Sequence, residues 1–306
     1  MADRQRGQGL LNNPYLLMGV QLVLWGSYAA VSKLVLGSMA VWPFQCYSFG
    51  IALAALAVPY FAKGGWSRLR KLEAKNLLCL CAIAVPSFLY YFFYATALSL
   101  TGAVEASVLN YTFPVFVLLL AWPVCGERPA PRGVLAVLLG LAGAVIVLLG
   151  GGGGLGGFVN AGALCALCGA VCWGLFSNLG RRAPADAQTA NLIYMGVGFL
   201  LSLCGMLAFS QFEAPVGGDL LCLVWNGVFS LAAGYWVWFR VLDVAPAALA
   251  ANLSFITPFA NLLFIACLLH EPIRWQHWAG LAVILLGVLL QALPTGHGTA
   301  QRAGQK

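Results

Sequence analysis

Charged side chains are scarce in this sequence: they make up 8% of the 306 residues, whereas 61% are hydrophobic. A soluble domain carries roughly 25% charged residues, so the shortage excludes an ordinary soluble globular protein. The apolar residues form unbroken segments along the whole chain, and a membrane-spanning helix needs about 20 of them. The sequence therefore predicts an all-α membrane protein.

Histidine is also scarce, with three in the chain and none near the centre of an apolar segment. Intramembrane enzymes need a paired nucleophile and base, a histidine-rich set or a metal within the membrane. Cys165, Cys168 and Cys172 share a helical face, but no nearby histidine completes a metal site with them. We therefore expect no enzymatic activity, no metal and no cofactor.

The apolar segments predict ten transmembrane helices joined by short connections. These spans are 14–35, 42–62, 77–100, 103–123, 132–150, 159–180, 189–210, 219–241, 246–269 and 275–293. Residues 1–13 and 294–306 are predicted to be polar tails. The glycine-rich run 150–157 lacks the Gly-Lys-Ser/Thr ending of a phosphate-binding loop, so it is predicted to be a flexible linker.

The basic residues predict the orientation of these helices, because cytoplasmic loops carry an excess of Lys and Arg. With the N-terminus in the cytoplasm, only Lys33 and Arg274 of the 16 basic residues fall outside. The split predicts that both termini are cytoplasmic. It also supports an even number of helices, since an odd number would spoil the alternation.

Two halves of the chain resemble each other weakly, which predicts repeats over 14–150 and 159–293. The repeated positions are Trp25-Gly26 and Trp173-Gly174, Pro114 and Pro258, and Glu127 and Glu271. Five helices per half is an odd number, so the second half enters the membrane from the opposite side. Inverted repeats of this kind are typical of secondary transporters.

These features resemble the EamA-type transporters of the drug/metabolite transporter superfamily, among them bacterial exporters of aromatic amino acids. The resemblance covers nearly the whole chain, and the paired proline and glutamate positions are its most specific part. Many members carry an arginine near the middle of the second helix, where this chain reads Phe44-Gln45-Cys46-Tyr47. The resemblance implies export of small organic solutes, often amino acids, across the inner membrane.

Aromatic and amide side chains inside the spans are the candidate solute-binding residues, because a cavity lined by aromatic rings binds amphipathic or aromatic solutes. The candidates are Trp25, Tyr28, Tyr90, Tyr94, Asn110, Tyr111, Trp173, Tyr235, Trp238 and Asn252. The alternative is interfacial or lipid-facing packing.

Prolines inside the spans are the candidate helix kinks. Pro86, Pro114 and Pro258 would each free a backbone carbonyl four residues earlier, which is tolerated beside another helix or a water-lined cavity. The alternative is that they bend helices only for packing.

Ionisable residues are nearly absent from the helix centres, and Glu105, at the start of the fourth span, is the one candidate for a proton-linked group. We therefore expect a secondary transporter of neutral or aromatic amino acids that works by alternating access. The alternatives are a proton-coupled exporter of drugs or other metabolites and, more remotely, an intramembrane enzyme. The expected partners are a small solute and membrane lipid, without nucleic acid, for a monomer or a homodimer.

Overall fold

The fold is an assembly of apolar α-helices, seen here in a computed structural model that describes residues 13–127, 131–150, 160–244, 253 and 256–292. Its α-helices are α1 (Pro14–Gly26), α2 (Tyr28–Val35), α3 (Val41–Ala62), α4 (Gly65–Arg70), α5 (Ala74–Leu100), α6 (Ala103–Asn110), α7 (Phe113–Cys125), α8 (Pro131–Gly150), α9 (Ala161–Gly180), α10 (Ala187–Phe209), α11 (Asp219–Val224), α12 (Gly234–Val244), α13 (Thr257–Leu269) and α14 (Trp275–Ala292). A π-helix, Trp225–Ala233, joins α11 to α12. The described residues contain no β-strand.

Seven helical segments of the described chain are long and apolar enough to cross a membrane. They are Pro14–Val35, Val41–Ala62, Ala74–Leu100, Ala103–Cys125, Ala161–Gly180, Ala187–Phe209 and Asp219–Trp238. Three shorter apolar helices, Gly133–Leu149, Thr257–Leu269 and Trp275–Leu290, accompany them. All of them fall on spans predicted from the sequence, so the protein is an all-helical, multi-pass membrane protein.

Two of the three prolines expected to kink helices lie in the first turn of a helix and not in its interior. The fourth predicted span is interrupted at Tyr111 and Thr112, and Pro114 lies in the first turn of the helix that follows. Pro258 has the same place in α13. A first-turn proline loses no helical hydrogen bond, so these residues begin new helices. Pro86 does lie inside a continuous helix, α5.

Helices that are distant in the sequence pack against one another. The α1 helix packs against α12 and α13, and α2 packs against α13, while α9 packs against α5, α6 and α7. We call α1, α2, α11, the π-helix, α12 and α13 the Trp25 group, and α5, α6, α7 and α9 the Trp173 group. The α3–α10 pair and the α8–α14 pair pack beside these groups. Each group therefore combines helices from both parts of the sequence.

Glycines permit the closest helix approaches. A Cβ built on Gly26 would lie 3.1 Å from the Cβ of Ala260, and one on Gly174 would lie 2.7 Å from the backbone of Phe116. At the α8–α14 crossing, a Cβ on Gly143 would lie 2.6 Å from the carbonyl oxygen of Gly280. Because helices in lipid associate by close van der Waals packing, these small residues set the helix spacing.

The α8–α14 crossing gives a stability prediction. Gly143→Ala is expected to lower the midpoint of thermal unfolding in detergent, because its Cβ meets the Gly280 carbonyl and overpacking costs about 1–3 kcal/mol. Gly19→Ala is the matched control, since Gly19 is also helical but has nothing within 4 Å of a built Cβ. Alanine is the better helix former, so the control is expected to hold or raise the midpoint. Equal effects of the two substitutions would contradict the packing.

Candidate functional site

A network of aromatic rings occupies the junction between the two helix groups. In the Trp25 group, the ring of Trp25 lies 5.9 Å from that of Tyr235 and 5.8 Å from that of Trp238. In the Trp173 group, the ring of Trp173 lies 4.6 Å from that of Tyr90. In both groups, a tryptophan of one helix therefore contacts at least one aromatic ring of a neighbouring helix.

Tyrosines join the two halves of this network. The hydroxyl oxygens of Tyr91 and Tyr235 lie 3.1 Å apart in a buried hydrogen bond. The ring of Tyr28 lies 5.7 Å from that of Tyr91 and 6.1 Å from that of Tyr94. Tyr91 was missed in the sequence, although its separation of 144 residues from Tyr235 equals that between Pro114 and Pro258.

Polar side chains of the fourth span border the network. Asn110 donates from Nδ2 to the hydroxyl of Tyr90 at 3.3 Å, and the hydroxyls of Tyr94 and Ser107 lie 2.8 Å apart. Asn110 is 4% exposed, and its Oδ1 has no hydrogen-bond partner among the described residues. A buried polar atom without a partner is costly, so this oxygen is suited to meet a donor that the protein itself does not supply.

Eight of the ten predicted solute-binding residues fall in one connected network in this way. Tyr111 packs at its edge, with its ring 6.3 Å from that of Phe113. Asn252 lies outside the described residues. The network is closed here, because Tyr28, Tyr94 and Tyr235 are exposed by only 7%, 4% and 5%.

A cavity of about 640 Å³ lies outside the aromatic network, at one end of the bundle. Its walls come from α3, α10, the π-helix and α12, and none of the ten predicted residues lines it. Leu56, Ala232 and Trp236 form part of its apolar wall. Its charged lining residues are Lys63, Arg68, Asp186 and Arg240. We call this end of the bundle the Arg181 end, because Arg181 lies near it.

Asp186 fixes one wall of the cavity, since its carboxylate caps the N-terminus of α10. It accepts from the amide of Thr189 at 3.1 Å and from the hydroxyl of Thr189 at 2.7 Å, and it lies 3.6 Å from Arg68. Burial raises the pKa of Asp186, but the bonds from Thr189 and the charge of Arg68 outweigh it and hold the pKa below its usual value. The carboxylate is therefore ionised at neutral pH.

At the opposite end of the bundle, two charged side chains reach from one helix group to the other. Lys33, in α2, donates to the carbonyl oxygens of Leu98 and Thr101 at the end of α5. Glu271, just after α13, accepts from the amides of Ala103 at 3.0 Å and Val104 at 3.2 Å, at the start of α6. We call these contacts of Lys33 and Glu271 the Lys33 seal, and this end of the bundle the Lys33 end.

Aromatic rings pack between the start of α3 and the middle of α5. Trp42 packs against Phe92, with ring centroids 4.4 Å apart, and against Phe88 at 6.3 Å. A shift of 144 residues carries Phe88 to Ala232, which lines the cavity at the other end. The Lys33 end has a cavity of about 210 Å³, lined in part by Glu105, Glu271 and His277, so the larger of these two cavities lies at the Arg181 end.

Apolar helix groups that meet at a buried aromatic junction, with seven helical segments of the described chain long and apolar enough to cross a membrane, define a polytopic membrane protein. The sequence matches the EamA-like transporter family over residues 13–149 and again over 160–293. The chain therefore belongs to the EamA-like transporter family.

Individual relatives agree with this assignment. The aromatic amino acid exporter YddG of Ancylobacter novellus is 31% identical over 184 residues, which are 58% of this chain and 63% of that relative's length. The uncharacterized transporter YvbV of Bacillus subtilis is 26% identical over 90% of both chains. A protein crystal structure with 25% sequence identity superposes with a TM-score of 0.63, covering 90% of this chain and 95% of that one.

The bond between Tyr91 and Tyr235 gives a second prediction. Tyr91→Phe and Tyr235→Phe are each expected to lower the free energy of unfolding by about 1–3 kcal/mol, because each leaves one buried hydroxyl unpaired. The double variant removes both hydroxyls and is expected to lose less than the sum of the single losses. Tyr15→Phe is the control, since Tyr15 is 64% exposed. Additive losses in a denaturant titration would show that the hydroxyls are not coupled.

Proposed function

We propose that the protein is a secondary transporter that exports small organic solutes, neutral and aromatic amino acids first among them, across the inner membrane by alternating access. The observation that carries the proposal is the closed network of rings and amide groups at the junction of the two helix groups. Rings that separate along this junction would offer apolar faces to an aromatic side chain. The unpartnered Oδ1 of Asn110 would accept from a solute ammonium group.

The substrate class rests on chemistry and on a relative. Tyr28, Tyr90, Tyr94 and Trp173 supply aromatic faces, which attract both apolar rings and cations. The relative from Ancylobacter novellus is named as an aromatic amino acid exporter. Both observations favour amino acids with large apolar side chains.

The transmembrane arrangement belongs to the same proposal: ten helices as two inverted halves, 14–150 and 159–293, with both termini in the cytoplasm. Two matches to one family model, over 13–149 and 160–293, support the halves. The basic cavity lining supports the orientation, because Lys63, Arg68 and Arg240 favour the cytoplasmic side. In that orientation the cavity opens to the cytoplasm and the Lys33 seal closes the external side.

A proton-coupled drug exporter is the second candidate, and Glu105 is the residue on which it depends. The carboxylate of Glu105 accepts from the Thr101 hydroxyl at 2.8 Å and from Nδ2 of Asn160 at 3.1 Å. These bonds tie the end of α5 and the start of α9 to α6. They favour a structural role for Glu105, so the amino-acid exporter is preferred.

Transport by proteoliposomes tests the proposal. Purified protein is expected to carry labelled tryptophan, phenylalanine or leucine with saturable kinetics above the rate of empty liposomes. The double variant Tyr28→Ala/Asn110→Ala is expected to reduce this flux about tenfold or more, because a ring contact and a hydrogen-bond acceptor are lost. Tyr15→Ala is the control at an exposed position.

Two results would separate the candidates. Absence of saturable flux for all twenty amino acids would reject the amino-acid exporter. Loss of the pH dependence of flux in Glu105→Gln would favour the proton-coupled alternative, whereas an unchanged dependence would count against it.

A further inference from the structure

We propose that Glu127 and Arg181 are the counterparts of the Lys33 seal and close the Arg181 end when the Lys33 end opens. This inference rests on the proposed alternating access. It assigns a role to an ion pair that the aromatic site does not use, and it predicts that this pair must separate in each transport cycle.

The repeat offsets connect the four charged residues. Trp25-Gly26 and Trp173-Gly174 are separated by 148 residues, and the same shift carries Lys33 to Arg181. Pro114 and Pro258 are separated by 144, and the same shift carries Glu127 to Glu271. The sign of the charge is kept at both positions, as a shared role in two inverted halves requires.

The Lys33 seal shows what that role is. The last carbonyls and first amides of a helix have no partner within the helix, and the helix dipole favours a cation at the C-terminal end and an anion at the N-terminal end. Lys33 meets the carbonyls at the end of α5, and Glu271 meets the amides at the start of α6. Both side chains reach from the Trp25 group to the Trp173 group, so together they fasten the groups at that end.

At the Arg181 end the equivalent side chains contact each other instead. Arg181 donates from both terminal nitrogens to the carboxylate of Glu127, at 2.7 and 2.9 Å. Glu127 follows α7 and Arg181 follows α9, so this bond lies within the Trp173 group and fastens nothing across the junction. The two side chains are 53% and 55% exposed, and solvent screens such a pair.

The pair stays charged under transport conditions. The hydrogen bond from Arg181 holds the pKa of Glu127 below its usual value and raises the pKa of Arg181. Both groups therefore remain ready to meet backbone groups of the other helix group at neutral pH.

The offsets also indicate the partners in the alternate state. A shift of 144 residues carries Leu98, whose carbonyl accepts from Lys33, to Leu242 in α12 of the Trp25 group. Arg181 is therefore expected to donate to the Leu242 carbonyl. A solvent-screened pair would be exchanged for charge-assisted bonds between the groups, shielded from water.

The test measures accessibility and needs no substrate. Ala232→Cys reports on the cavity at the Arg181 end, and its repeat counterpart Phe88→Cys reports on the Lys33 end. The labelling rate of each introduced cysteine by a polar maleimide is followed in proteoliposomes by mass spectrometry of its own peptide. The chain keeps its native cysteines.

Glu271→Gln is expected to weaken the Lys33 seal and to raise labelling of Phe88→Cys. Adding Arg181→Gln or Glu127→Gln to that background is expected to lower the labelling rate of Phe88→Cys about tenfold again. The reason is that the contacts proposed to hold the Arg181 end closed are then also lost. Arg181→Lys is expected to behave like the unsubstituted residue, since lysine serves at the counterpart position. Lys75→Gln, an exposed basic residue near the start of α5, is the control.

Two outcomes would overturn the inference. Arg181→Gln and Glu127→Gln could lower the unfolding midpoint and leave both labelling rates unchanged, which would mean that the pair only stabilises the Trp173 group. Arg181→Lys could also fail to restore the labelling pattern. A labelling shift without any amino-acid flux would reject the proposed substrate but keep the seal. Amino-acid flux with unchanged labelling rates would reject the proposed seal but keep the proposed substrate.

Discussion

Water cannot satisfy backbone groups inside a bilayer, and each unpaired amide or carbonyl there costs several kcal/mol. Two helix termini meet within a few residues where α5 ends at Leu100 and α6 begins at Ala103, and the last carbonyls and first amides of a helix have no partner within it. The carbonyls of one terminus and the amides of the other need partners, and Lys33 and Glu271 provide them from across the junction. The closed end of the molecule is thus held by helix capping between two helix groups.

Small residues permit the close contacts between helices that come from different halves of the sequence. Gly26 lets α1 approach α13, and Gly174 lets α9 approach α7, so the first long helix of each predicted half packs on helices of the other. Consequently neither group corresponds to one half of the sequence. A movement of one group against the other displaces both halves at once, and the aromatic junction is the surface along which that movement would occur.

Much of the fold could be predicted from the sequence, because each long apolar segment signals a helix by itself. Kinks were predicted at Pro114 and Pro258, whereas the structure begins new helices beside these prolines, and the π-helix at Trp225–Ala233 was not predicted. Tyr90 and Trp173 were predicted from their depth in the spans, and Trp25 and Tyr28 from their shared helical face. The structure brings all four into one ring network. The roles of Lys33 and Glu271 could not be predicted, because their partners lie 65 to 168 residues away along the chain.

The difference between Phe88 at one end and Ala232 at the other has a thermodynamic consequence for the proposed carrier. The larger cavity, at the Arg181 end, gives a solute more room than the cavity of about 210 Å³ at the Lys33 end. However, the product of the forward rate constants around the transport cycle must equal the product of the reverse rate constants, unless an outside source of energy is coupled to the cycle. The unequal cavities therefore allow different half-saturation concentrations on the two faces of the membrane. The solute gradient finally reached depends only on the energy source that drives the cycle.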